Sequence, residues 1–143
     1  MPWFQFDGSA IKRDSCIKSD PPRTDVTVPE VTFPARNAPM GVTFLTSSSF
    51  ENDAVVALHG SWATLPNGGF SGDPATRRKP KLVLVRFQDQ RATHVEDFVT
   101  GFQLDNGSRW ARPVDVEFGP DKAIYFTSDS GIEGLFRLRE INK

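Results

Sequence analysis

Short apolar runs separated by turn-forming residues dominate the chain from Val42 onward. The runs are rich in β-branched and aromatic residues, and clusters of Gly, Pro, Asn, Asp and Ser lie between them, which is typical of strands and turns. No amphipathic helix of about ten or more residues competes with this pattern, so the sequence predicts an all-β protein. The predicted strands are Val42–Leu45, Ala54–Leu58, Leu82–Phe87, Thr93–Phe98, Val114–Phe118, Ala123–Thr127 and Leu135–Arg139.

Residues 1–38 have a different pattern. They contain several prolines and scattered charges, and they show no sustained helical or strand periodicity. This part is expected to be a mostly irregular N-terminal arm or the remnant of a preceding structural repeat.

An internal repeat relates the two halves of the β-rich part. Pro39–Phe44 aligns with Pro113–Phe118 at an offset of 74 residues, and the Pro, Val and Phe of each segment coincide. Each half then reads as three or four consecutive strands, and repeated four-stranded units are the blades of a β-propeller. The later strands align Ala54–Leu58 with Ala123–Thr127 and Lys81–Arg86 with Gly134–Arg139.

The repeat predicts the domain organisation. Residues 39–100 and 110–143 are expected to form two blades, which are too few to close a propeller because a ring needs about four to eight. The second unit lacks a fourth strand, so the chain is expected to be the C-terminal piece of a propeller. A small β-sandwich with a long N-terminal arm is the alternative fold.

Composition excludes several classes of function. The chain has 143 residues and a formal charge of -1, so it has no excess of positive charge for binding nucleic acid. It contains neither a secretion signal nor about 20 consecutive apolar residues that could span a membrane. Cys16 is its only cysteine and cannot form an internal disulfide. Gly-rich phosphate loops, paired-cysteine zinc motifs and metal-binding His-Glu-x-x-His motifs are absent from the sequence.

Chemically versatile residues follow or precede the predicted strands at one edge. His59 and Asp129 follow the second strand of their units, and Arg112 precedes the first strand of the second unit. In an antiparallel pair these positions lie at the same edge, so the three residues and the loop from Ser61 to Phe70 are expected on one face of the sheet stack. His59 can be a base, a ligand or a structural imidazole, whereas Arg112 can bind an anion or form a structural ion pair with Asp115 or Asp129.

Three further features have open interpretations. Trp62 offers a flat face for stacking on a sugar or a planar cofactor, but it can equally be a core residue between blades. Arg77–Lys79 is expected to be a solvated loop tip, and His94 is expected to be exposed on an outer strand.

The order of motifs resembles the C-terminal part of quinone-dependent sugar dehydrogenases of the glucose/sorbosone type, including sorbosone and pyranose dehydrogenases. The resemblance covers about 110 residues, from Phe33 to Arg139. Departures include Ala111 where the family usually has Gly, and Ala63-Thr64 where Asn-Arg is common. The matching segments are Phe33–Ala35, Ala38–Phe44, His59–Trp62, Asp97-Phe98, Gly101-Phe102 and Trp110–Val114.

The resemblance implies a six-bladed propeller that binds pyrroloquinoline quinone, usually with calcium, and oxidises aldoses or sorbosone. It implies that His59, Trp62 and Arg112 contact the cofactor and that His59 is the candidate catalytic residue. It implies no metal ligand in this chain, since the calcium ligands would lie on earlier blades. An electron acceptor, such as a haem domain, and an extracellular or periplasmic location are also implied.

Two other hypotheses compete with this interpretation. The chain can be a non-catalytic interaction module derived from a propeller, or a truncated gene product without a separate function. Its activity as an isolated chain is therefore an open question at the level of sequence.

Overall fold

A computed structural model of the chain describes residues 3–139 except 7, 9, 21–24, 47–49, 51 and 66–68. The described residues form nine strands in three antiparallel sheets, with a single 3₁₀ turn at Pro74–Thr76 and no α-helix. The all-β prediction is therefore confirmed, and none of the three sheets closes on itself. In the part of the chain that the structure describes, no helix has the length and apolar character needed to cross a membrane.

The chain divides into two units, Met1–Thr32 and Phe33–Lys143. In the first unit, β1 (Phe4–Phe6) pairs antiparallel with β2 (Ile11–Arg13). The prediction of a mostly irregular arm did not include this short hairpin.

The second unit contains a four-stranded and a three-stranded sheet, each with its strands in sequence order. Consecutive antiparallel sheets of this kind are consistent with two blades of a partial propeller. The last residues of the predicted second blade, 140–143, lie outside the described part. The four-stranded sheet consists of β3 (Pro39–Phe44), β4 (Ala54–Leu58), β5 (Lys81–Gln88) and β6 (Arg91–Val99), and the three-stranded sheet of β7 (Pro113–Phe118), β8 (Ile124–Ser128) and β9 (Gly134–Arg137).

Strand pairing tests the alignment of the two repeats. Leu58 pairs with Pro39 in the first sheet, and Ser128 pairs with Pro113 in the second. Leu58 therefore corresponds to Ser128, one residue later than Thr127, which the sequence alignment predicted. Ala123 is not the first residue of β8, because its carbonyl accepts a hydrogen bond from the Gly119 N–H and it belongs to the preceding turn. The predicted alignment of β5 with β9 is confirmed.

The four-stranded and the three-stranded sheet, called the first and the second blade from here on, share one apolar core. Buried side chains of β4 and β5 belong to one apolar cluster with residues of β7, β8 and the segment between the sheets. A hydrogen bond from the Phe118 N–H to Thr43 Oγ1, 3.3 Å long, also connects β3 and β7, the first strands of the two sheets. The buried members of this core are Leu45, Val55, Ala57, Leu82, Leu84, Phe102, Ala111, Val116 and Phe126.

Gly41 sets the separation of the strands β3 and β7. A Cβ atom at this position would overlap the Asp115 side chain and would lie 2.7 Å from the Asp115 Cα, so a backbone has to move to make room. The aromatic and aliphatic core behind this contact depends on the same separation.

We expect Gly41→Ala to destabilise the fold by on the order of 1–3 kcal/mol, because it overpacks the interface between the blades. Urea unfolding followed by circular dichroism measures the change. Met40→Ala is the matched control, since Met40 is the exposed neighbour of Gly41 in the same strand. Equal stability of Gly41→Ala and wild type would show that the blades can separate without cost.

Candidate functional site

Three side chains from three strand ends meet at one edge of the second unit. His59 directly follows β4, Asp129 directly follows β8, and Arg112 directly precedes β7. The His59 Nε2 lies 2.8 Å from Asp129 Oδ1, and the His59 Nδ1 lies 2.8 Å from Arg112 Nη2. The structure thus brings together the three residues that the strand pattern placed at a common edge.

Arg112 is the most deeply buried charged residue of this group, with 1% of its surface exposed. Its backbone N–H donates to Ser128 Oγ at 2.9 Å, and its Nε donates to the His59 carbonyl at 3.2 Å. Burial lowers the pKa of the guanidinium, the nearby Asp129 carboxylate opposes this change, and Arg77 adds to it. The side chain is therefore held by His59, whereas Ser128 fixes the backbone at Arg112.

Trp62 lies against this buried arginine. The Arg112 Cζ is 4.1 Å from the centroid of the indole ring, within the range of a cation–π contact. Two further guanidinium carbons, those of Arg77 and Arg109, each lie 6.0 Å from the same centroid. Because 53% of Trp62 is exposed, it is not buried between the two sheets of this unit.

Arg109 completes the cluster from the segment before β7. Its Nη2 donates to the carbonyls of Ser61 and Arg78 at 2.7 and 3.1 Å, and its Nε donates to Gln103 Oε1 at 2.8 Å. The remaining nitrogen, Nη1, is buried and has no hydrogen-bond partner among the described residues. Burial together with the charges of Arg112 and Arg77 lowers the pKa of Arg109 to about 10.

We call Arg77, Arg109 and Arg112 the arginine cluster. The sequence did not identify Arg77 and Arg109 as members of this cluster. Arg77 was expected at a solvated tip, but it is only partly exposed, and within the described part of the chain its buried Nε has no hydrogen-bond partner. Arg109 directly precedes the Trp110–Pro113 motif, and this position was the only indication in the sequence that Arg109 belongs to the site. The loops that carry both residues have no periodicity from which their positions could be predicted.

Two other residues from the motifs and strands lie outside the cluster. Trp110 has a structural role, because its Nε1 donates to the Gly101 carbonyl and its ring packs against Phe102 and Phe136. His94 is exposed on β6, as the sequence predicts.

The described residues contain no group of three or more His, Cys, Asp or Glu side chains arranged to hold a metal ion. They therefore provide no carboxylate cluster for calcium.

Comparison with known proteins places the chain in a family. A family model described as TrAA12-like matches residues 4–137. The chain belongs to the TrAA12-like family. This family is of the quinone-dependent sugar dehydrogenase type, so the broad resemblance seen in the sequence is confirmed, whereas the sorbosone or pyranose type stays a prediction.

A curated relative was also found. An uncharacterized protein of Borreliella burgdorferi is 27% identical to the TrAA12-like chain over 115 residues, which is 77% of the chain. The chain spans 28% of the length of that relative. No solved structure matches the chain.

The hydrogen bond to His59 makes the stability of the fold depend on the ionisation of Asp129. It is the largest of several causes that lower the pKa of the Asp129 carboxyl below its ordinary value. A carboxyl group with a lowered folded pKa stabilises the fold above its unfolded pKa, and this contribution disappears as the pH falls through the folded pKa.

We therefore expect Asp129→Asn to lower the free energy of unfolding at pH 7 and to have a smaller effect at about pH 3. Urea titrations of both proteins at the two pH values measure the difference. Asp105→Asn removes an exposed carboxylate from a turn and serves as the control. A loss that is the same at both pH values would mean that the Asp129 charge does not stabilise the fold.

Proposed function

We propose that this chain supplies one wall of the quinone site of a sugar dehydrogenase that uses pyrroloquinoline quinone. The observation that carries the proposal is the arginine cluster around the half-exposed Trp62 ring. Three guanidiniums converge on this ring. The Asp129 carboxylate, which is hydrogen-bonded to His59, stabilises the positive charge of Arg112.

The residues fit a planar anionic cofactor. Arg77 Nε and Arg109 Nη1 are buried donors for which the described residues supply no partner, and an anionic oxygen satisfies such donors. The exposed part of Trp62 gives a flat apolar surface beside them. A ligand that combines a flat ring system with carboxylates matches both features.

The protein side of the chemistry follows from these contacts. When bound, the quinone supplies the two-electron acceptor for oxidation of a sugar hydroxyl. Arg77, Arg109 and Arg112 would bind and orient its anionic groups, and Trp62 would limit the access of water to one side of the site. Groups outside this chain would complete the site, including any calcium ligands.

The proposed substrate is an aldose or sorbosone, with a separate electron acceptor for which a haem domain is one candidate. The proposed location is extracellular or periplasmic. Family membership supports these inferences, which concern the longer protein.

We expect Arg77→Met to weaken quinone binding about 10- to 100-fold, which is the effect of losing a charged hydrogen bond. Calorimetric titration of the chain with pyrroloquinoline quinone measures the affinity. Arg78→Met is the matched control, because it removes the same charge from an exposed neighbouring residue. If both variants lose affinity equally, the binding is unspecific attraction to positive charge.

Activity requires a second experiment. The longer protein that contains this chain is mixed with the quinone, calcium and glucose or sorbosone, and reduction of an artificial dye is followed. Sugar-dependent reduction supports the proposal, and its absence despite tight quinone binding would contradict the dehydrogenase assignment.

An exposed apolar face supports the inference that a further blade packs on this chain. Val42 and Phe44 of β3 are each 57% exposed, whereas their counterparts Val116 and Phe118 face the first blade in the shared core. The repeat therefore indicates that Val42 and Phe44 face a preceding blade. Six blades in total is the number that the family resemblance implies.

An interaction module is the second candidate, and the same face favours it. Copies of the chain could close a ring only by placing this apolar face on the outer face of the second blade. That outer face exposes three polar residues, Asp115, Glu117 and Thr127, beside one exposed leucine, Leu135. Such a match is poor, so a different blade from a longer polypeptide is the better partner.

We expect the isolated chain to associate through this face, and Val42→Ser combined with Phe44→Ser to reduce the association. Sedimentation velocity over a range of concentrations measures it. Leu104→Ser, which removes an exposed leucine from a turn outside both sheets, is the control. A wild-type chain that stays monomeric at all concentrations would contradict the inference, and discrete stable oligomers without quinone binding would favour the interaction module.

A further inference from the structure

The hydrogen bonds of His59 define its protonation state. A guanidinium is only a donor, so Arg112 Nη2 must donate to the His59 Nδ1, which is 2.8 Å away. A neutral imidazole has one N–H, and here that group must be Nε2–H. It donates to Asp129 Oδ1 over 2.8 Å.

This arrangement leaves the ring without a lone pair for a substrate proton. A general base has to place an unshared pair of electrons within reach of the proton that it removes. The lone pair of His59 is instead directed at Arg112, and the opposite nitrogen already carries a hydrogen.

We propose that His59 is a positioning residue that holds the Arg112 guanidinium against Trp62, with Asp129 fixing its tautomer, and that it is not the base of the reaction. The part that concerns the quinone rests on the proposed function. The tautomer and the positioning of Arg112 follow from the hydrogen bonds alone.

Two contacts from one residue explain how the position of Arg112 is fixed. The His59 backbone carbonyl accepts from Nε, and its ring accepts from Nη2, so both ends of the guanidinium plane are held. The ring is fixed in turn by Asp129 on the second blade. Such a second layer of contacts keeps a binding group in its working orientation before the ligand arrives.

The internal repeat explains why His59 and Asp129 lie next to each other. Leu58 and Ser128 occupy the same pairing position in the two blades, so His59 and Asp129 are equivalent residues that follow the second strand of each blade. Adjacent blades bring these equivalent positions together at one edge. The other charged groups around the pair are the guanidiniums of the arginine cluster.

The tautomer can be measured without any cofactor. The chain has two histidines, so nitrogen-15 labelling of histidine gives two rings, and His94→Gln identifies the signals of His59. At about pH 8 we expect a protonated Nε2 and an unprotonated Nδ1 for His59. A protonated Nδ1 or a charged ring would overturn the proposal.

Matched variants then separate positioning from catalysis. The Oδ1 of His59→Asn can accept from Arg112 near the position of Nδ1, whereas His59→Leu cannot accept at all. We expect His59→Asn to bind pyrroloquinoline quinone within about 3-fold of wild type and His59→Leu to bind at least about 10-fold more weakly. Circular dichroism verifies that both variants fold.

The outcomes distinguish the two proposals. If the wild-type chain and the longer protein both fail to bind the quinone, the proposed function fails while the tautomer measurement still decides the role of His59. If both variants bind the quinone as wild type does, but the longer protein carrying either one loses sugar oxidation, His59 acts as the base and the positioning role is wrong.

Discussion

The buried guanidinium of Arg112 is the constraint on which the site depends. A charged group that is almost wholly removed from water is tolerated only when its donors find partners. Those partners come from His59 of the first blade, while Ser128 of the second blade fixes its backbone. The charge is therefore compatible with the fold only when the two blades are packed together.

The packing of the blades in turn depends on Gly41 in β3. Gly41 lets the backbone of β3 approach Asp115, and the apolar faces behind it then meet in one core. Because protein interiors are close-packed, a small increase in this separation would displace the groups that hold Arg112. Fold stability and site geometry are thus two consequences of one interface.

The sequence predicted the strands because each is short, apolar and bounded by turn residues. It also predicted the common edge of His59, Arg112 and Asp129, since antiparallel pairing alone places strand ends together. It failed at Ala123 because alanine has no strong preference between turn and strand, and the Gly119–Ala123 hydrogen bond decides the register. That bond depends on how a turn closes, which hydrophobic periodicity does not encode.

Arg77 and Arg109 could not be predicted for a related reason. Their guanidiniums reach Trp62 through irregular loops, so their positions depend on backbone contacts such as those from Arg109 to the carbonyls of Ser61 and Arg78. Local sequence shows that these residues are positively charged, but it does not show where a loop places the charge.

The resulting crowding of positive charge has a thermodynamic consequence. The pKa of Arg109 is lowered to about 10 because its charged form is disfavoured by burial and by its neighbours Arg112 and Arg77. With a folded pKa below the ordinary value, this cost is present throughout neutral pH and is relieved only as the pH rises above about 10. An anion bound among the guanidiniums offsets the same cost at neutral pH, and its binding stabilises the folded state by mass action. The cluster is therefore better suited to binding a negatively charged ligand than to stabilising the fold by itself.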